Sequence, residues 1–198
     1  MAAHWDTVYS DKGRKEVSWF QSDPGVSLEL IRESGIGFDA PIVDVGGGAS
    51  VLGSGLMAEG FNDVTVVDIA ETALAVAREE LGFTGNTIAA DVRRWRPERR
   101  YRLWHDRAVF HFLTAPEDRA EYRRALEVGT GPDSWLAVGT FAADGPQQCS
   151  GLPTARYDAD ALAAEFPGWA VVDARREEHQ TPRDAVQPFT WLMLRRAV

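Results

Sequence analysis

One cysteine, Cys149, occurs in 198 residues. A lone cysteine excludes an intrachain disulfide and a cysteine-rich metal centre. Histidine is also scarce, at four residues, and none shows His-x-x-x-His spacing, so no metal site is expected. No apolar run is long enough to span a bilayer, and the opening "MAAHWDTVYSDKGRKE" lacks the apolar stretch of a secretory signal. The expectation is a cytoplasmic protein without a membrane partner. Positive charge is outnumbered: 21 Lys and Arg against 30 Asp and Glu leave a net charge of −9. A nucleic-acid backbone calls for a basic footprint, so nucleic acid is not expected as the main partner, although tRNA or a basic protein as substrate stays open. Repeats and low-complexity tracts are absent, and residues 1–198 read as a single domain, monomeric or homodimeric.

What is present is alternation. The runs "PIVDVG", "VTVVDI", "NTIAADV", "YRLWHDRAVF" and "DSWLAVGTFA" read as five strands separated by amphipathic segments. Val64–Ile69 is nearly all β-branched, as in a strand covered on both faces. Helices are predicted from Ala49 to Glu59, over "AETALAVAREELG" with Leu74, Ala77 and Leu81 on one face, and over "TAPEDRAEYRRALEVG". In the last, Thr114 reads as the cap and Glu117 as its capping-box partner. A short helix capped by Asp158 follows. The final runs "WAVVDARREEHQ" and "PFTWLMLRRAV" have no crossover helix between them and should form an antiparallel hairpin. The whole pattern predicts an α/β fold: a doubly wound, seven-stranded, mostly parallel sheet with an antiparallel last strand. Residues before Pro41, including the helix "SLELIRESGI", read as an N-terminal lid outside the repeat, with 1–25 as its core.

The first strand runs into Gly46, Gly47 and Gly48, where a ligand approaches the backbone in such sheets. Asp68 ends the second strand about 20 residues further on, where an acid can accept both hydroxyls of a ribose. A dinucleotide-binding turn would place a third glycine where Val51 stands, which disfavours a nicotinamide-dependent oxidoreductase without removing it. Asp44 points towards the turn, a poor neighbour for pyrophosphate and a good one for an ammonium group. Asp91 and Val92, after the third strand, suit a purine amine and ring.

The segments "VDVGGGAS", "VVDIA", "AADV" and "LWHDRAVFHFL" resemble, in order, the motifs of class I S-adenosylmethionine-dependent methyltransferases, from about Val26 to the C-terminus. In that family the first motif is acid-x-Gly-x-Gly-x-Gly; Ser50 replaces the last glycine here. The resemblance implies S-adenosyl-L-methionine as cofactor. Its methionine part would be held by Asp44 and the glycine turn, its ribose by Asp68 with Ile69 beside it, and its adenine by Asp91 and Val92. A narrower similarity, to thiopurine S-methyltransferase-like enzymes, rests on "EVSWFQSDPGVSLELI" and "DRAVFHFLTAPEDRAEYRRAL". It implies that Trp19 closes over the cofactor, where a cation–π contact with the sulfonium would be worth about 0.5–2 kcal/mol. Pinning the lid to the core is the alternative for Trp19.

The expected reaction is transfer of a methyl group by in-line displacement to a small-molecule nucleophile at sulfur, selenium or oxygen; a protein lysine is the alternative acceptor. Asp106 and Arg107, at the end of the fourth strand, should face the methyl group, and His111 is either a general base or a packing histidine. The loop Phe141–Tyr157, with Cys149, and the last hairpin connection, assigned His179 and Gln187, should border the acceptor. The basic run Arg93–Arg102 reads as a solvated connection with Trp95 covering the sheet edge.

Overall fold

The computed structural model describes residues 2–11 and 14–197. Met1, Lys12 and Gly13, part of the expected lid, lie outside the described residues. Strands β1 (Ile42–Val45), β2 (Val64–Asp68), β3 (Asn86–Ala89), β4 (Leu103–Arg107) and β5 (Trp135–Phe141) are parallel. After a two-residue pair, β6 (Gln148–Cys149) and β7 (Leu152–Pro153), come β8 (Trp169–Gln180) and β9 (Val186–Arg196). The large sheet has the order β3-β2-β1-β4-β5-β9-β8, and β9 runs antiparallel to both neighbours. The order reverses between β1 and β4, which opens a crevice at their carboxyl ends.

Side-chain alternation divides the core into two layers. Ile42, Leu103, Ala137 and Trp191 face helices α2 (Gly25–Glu33), α3 (Leu52–Ala58) and α4 (Glu71–Glu79). Val43, Trp104, Leu136 and Leu192 face α5 (Pro116–Gly129) and α6 (Ala159–Ala164). Every residue of β2 is buried, as its β-branched run predicts. The remaining helix, α1 (Ala2–Asp11), packs on α4.

Local chemistry moves several boundaries. Helix α3 starts at Leu52 instead of Ala49, because Gly46–Ser50 form the turn and the Ser50 hydroxyl accepts from Leu52 N–H. Strand β3 stops at Ala89, short of Asp91–Val92, because Asp91 starts a turn whose carbonyl accepts from Arg94 and Trp95 N–H. Thr114 does not cap α5: Pro116 is its first residue and holds Ala115 extended, which makes Ala115 the cap. Asp158 does cap α6, accepting from Ala161 N–H. Leu81 falls beyond α4 and is only half-buried. His179 and Gln187 are paired across β8 and β9 rather than in their connection. Trp95 packs on Tyr101 and Trp104 of the core instead of on the sheet edge, while Arg93, Arg96 and Arg99 of the basic run pair with Asp118, Glu121 and Asp63.

The larger correction concerns α2. Its Leu30 and Ile31 are fully buried against α3 and the sheet, so the stretch before Pro41 is not all lid. Ile31→Ala should therefore cost about 2–5 kcal/mol in urea unfolding, the range for deleting a large buried aliphatic side chain; a freely opening cover would lose almost nothing.

Candidate active site

The glycine turn is shaped by its own neighbours. Gly46 has φ +73°, and a Cβ there would lie 2.1 Å from Val109. A Cβ on Gly47 would lie 2.1 Å from the Asp44 carboxylate, and one on Gly48 would meet Ala73 and Asp68 at 2.5 Å. Gly46 and Gly47 border cavities; Gly48 does not, and its N–H donates to Asp68 at 3.1 Å. Gly48 thus positions an acid.

Two cavities adjoin at the crevice. Tyr9, Trp19, Gly46 and Arg107 border both. The smaller, about 550 Å³, lies over Asp44, Gly47 and Ser50. Asp44 is 2% exposed. Its Oδ1 is 2.7 Å from Nδ1 of His105, whose Nε2 is hydrogen-bonded to Ser27 of α2 at 2.9 Å. Register explains the pair, since Asp44 and His105 are direct neighbours on β1 and β4. The other oxygen, Oδ2, is buried and has no hydrogen-bonding partner among the described residues. A buried carboxylate oxygen left in this way costs free energy unless a donor reaches it.

The larger cavity, about 870 Å³, has Asp68, Ile69, Asp91 and Val92 along one side. Asp68 accepts from Gly48 and Ala70 N–H, one on each oxygen, which leaves lone pairs on both. Burial pushes its carboxyl up to about 6, against the pull of those N–H groups. Asp91 is gripped by Arg93, whose Nε donates at 2.9 Å, and its carboxyl is held below the ordinary range by the Arg93 bonds despite partial burial. Its expected role towards a purine amine is therefore shared with an arginine, which the sequence pattern did not reveal.

Beyond the fourth strand, alternation decides which groups face the cavity. Arg107 does. Asp106 faces the opposite layer, where it is fully buried, accepts from Val109 and Phe110 N–H and rises to about 6 through burial. It positions the turn Phe110–Phe112 and borders neither cavity, so the expected cofactor contact of Asp106 is withdrawn. His111 borders the cavity with no exposed surface. Its Nδ1 accepts from Phe141 N–H at 3.3 Å, which leaves the proton of the neutral ring on Nε2. Burial and the nearby Arg107 charge lower its pKa to about 3. Such a histidine is a hydrogen-bond donor near neutral pH, which favours the packing alternative for His111 over the general base.

His179 lies behind the site and donates to the Ser18 carbonyl at 2.8 Å. The Phe141–Tyr157 segment contributes Phe141 and Cys149 to the wall, and β9 contributes Phe189. The aromatic cover from α1, Trp5 and Tyr9, was not anticipated. Trp5 stacks edge-on against Trp19 at 5.6 Å and Phe112 at 5.1 Å, and Trp19 Nε1 donates to the Tyr9 hydroxyl at 3.3 Å. The available signal was the aromatic spacing of Trp5 and Tyr9, one helical turn apart. Among the described residues, no group of three or more His, Cys, Asp or Glu side chains could hold a metal ion, and no helix is long and apolar enough to cross a membrane.

No family model and no curated protein matches the chain. Solved structures do. One, concerned with the conversion of a disulfide bond into a thioacetal group during echinomycin biosynthesis, matches with TM-score 0.79 at 21% identity over 100% of this chain and 93% of its own. A SAM-dependent methyltransferase from Anabaena variabilis matches with TM-score 0.76 at 15% identity over 98% and 94%. A 1,6-didemethyltoxoflavin-N1-methyltransferase from Burkholderia thailandensis, solved with 1,6-didemethyltoxoflavin and S-adenosylhomocysteine, matches with TM-score 0.70 at 18% identity over 100% and 84%. By strand order, by the antiparallel β9 and by these matches along its whole length, the chain has the class I S-adenosylmethionine-dependent methyltransferase fold.

Proposed function

We propose that the chain is an S-adenosylmethionine-dependent methyltransferase acting on a small molecule. One observation carries this reading: a buried carboxylate oxygen of Asp44, without a partner, beside a glycine turn and next to the Asp68 cavity. An ammonium group satisfies that oxygen, whereas pyrophosphate would be repelled by it. The residues fit the cofactor: Asp44 the amino group, Asp68 the ribose hydroxyls, Ile69 and Val92 the faces of the purine, with Asp91, its oxygens taken up by Arg93, at the purine's edge. When bound, S-adenosylmethionine supplies an electrophilic methyl group on a positively charged sulfur.

The chain's own residues then have two tasks, to align the acceptor and to keep water out. Trp19, at the junction of the two cavities, covers the place where they meet, and its ring face suits a cation. Phe112, Phe141 and Phe189 wall the far end. An aromatic cover of Trp5, Tyr9 and Trp19 over an apolar wall supports a small-molecule acceptor over a protein lysine. The neighbour concerned with disulfide-to-thioacetal conversion supports a soft nucleophile such as sulfur.

Asp44→Asn keeps a partner for His105 and removes the charge. It should weaken S-adenosylmethionine binding by about 10- to 100-fold in calorimetry, the worth of one charge-assisted hydrogen bond. An unchanged dissociation constant, or NAD binding of equal strength, would remove the assignment. The His111 environment generates a pH dependence. An unfolded histidine takes up a proton near pH ~6.5, whereas His111 does so only at about 3. Its stability contribution is therefore fully present above the unfolded value and is lost as pH falls between the two. His111→Gln should remove about 1–3 kcal/mol of the stability loss seen on moving from about pH 7.5 to about pH 4.5 in urea unfolding. Because Asp68 and Asp106 act in the opposite sense in both proteins, the difference between the two isolates the histidine.

A further inference from the structure

The acceptor end of the larger cavity has an unbalanced set of polar groups. Arg107 has only 10% of its side chain exposed. One of its five N–H groups has a short acceptor: Nη1 donates to the Trp19 carbonyl at 3.1 Å. Nε and Nη2 are buried and have no hydrogen-bonding partner among the described residues. Glu177 is the nearest carboxylate, but at 3.9 Å it lies beyond hydrogen-bonding distance, and its two oxygens accept from Gln21 at 2.9 Å and Trp191 at 2.7 Å. His111 adds a second donor without an acceptor, the buried Nε2–H.

Both side chains lie near the Phe189 ring. The Arg107 guanidinium lies 4.5 Å from the Phe189 centroid, and the His111 ring is 6.3 Å from it. Around them the wall is apolar, with Phe112, Phe141 and Phe189. A buried guanidinium with idle N–H groups is costly unless an acceptor, best an anion, completes it. Neither expected base is placed to remove a proton here: His111 keeps its proton on Nε2, and Asp106 faces the other layer.

Resting on the methyltransferase reading, we propose that the acceptor binds as an anion whose negative charge is received by Arg107 and by the Nε2–H of His111. The class is a small, largely apolar or aromatic acid whose conjugate base is the nucleophile: a thiolate, selenolate, phenolate or carboxylate. Methylation of such an anion gives a neutral product and leaves no proton to remove, so neither His111 nor Asp106 is needed as a base. It also cancels the attraction to Arg107 and so favours release of the product.

Calorimetry at about pH 8 tests this with thiophenol and benzoate as anionic probes and thioanisole and benzamide as their neutral counterparts, with and without S-adenosylhomocysteine. The wild-type protein should bind each anion at least about tenfold tighter than its counterpart, the worth of one charge-assisted contact. Arg107→Met should erase that preference and Arg107→Lys should restore part of it, with S-adenosylhomocysteine affinity in each preparation reporting an intact fold. Equal binding of neutral and anionic probes by the wild type would overturn the proposal. So would an Arg107→Met protein that keeps the preference. Failure of the wild type to bind S-adenosylhomocysteine would sink the methyltransferase reading instead, and the charge preference would still be read from the probes alone.

Discussion

A carboxylate buried where the sheet changes direction is the constraint on which the rest of this molecule depends. Asp44 and His105 sit side by side because β1 and β4 are parallel and in register. Ser27 reaches His105 only if α2 is packed down on the sheet, so the chain Asp44–His105–Ser27 ties a helix from outside the βα repeat to the crevice. The same carboxylate dictates glycine at 47, since a side chain there would occupy its oxygen. One acid therefore sets a strand pair, a helix and a turn together. One of its oxygens is satisfied by His105, and the other has no hydrogen-bonding partner among the described residues.

Much of this was legible in the sequence because it depends on local patterns. β-branched runs marked the covered strands, and the lack of a crossover between the last two gave the antiparallel β9. Glycine followed by an acid at the next strand tip located the crevice. What was not legible depends on which face a side chain takes at a strand end. Asp106 and Arg107 are adjacent, yet one props a turn in the opposite layer and the other faces the cavity. His111 could be found by motif but not understood, since its tautomer is set by Phe141 N–H, 30 residues away. Likewise Asp91 offered a free carboxylate on paper, and Arg93 two positions later claims it.

Helix boundaries failed for the same kind of reason. Thr114 had the right chemistry to cap α5, but Pro116 fixed the preceding residue as the cap and left alanine in the position. Tertiary contacts overrode the lid reading of α2, whereas α1 lines the larger cavity with Trp5 and Tyr9. It is held in place by Asp6, which accepts from the Thr72 hydroxyl at 2.9 Å and caps α4 from another segment.

The two halves of the crevice are built from different material. One half comes from strand tips, where every position is tied into register and packing; the other comes from α1, from the chain leading to α2, and from single aromatic positions on β5 and β9. Changes at 5, 9 or 19 can remodel the aromatic half while the sheet's hydrogen-bond ladder stays whole, because none of the three lies on a strand. A scaffold divided in this way lets the lining of the crevice vary without disturbing the residues that set the strand order.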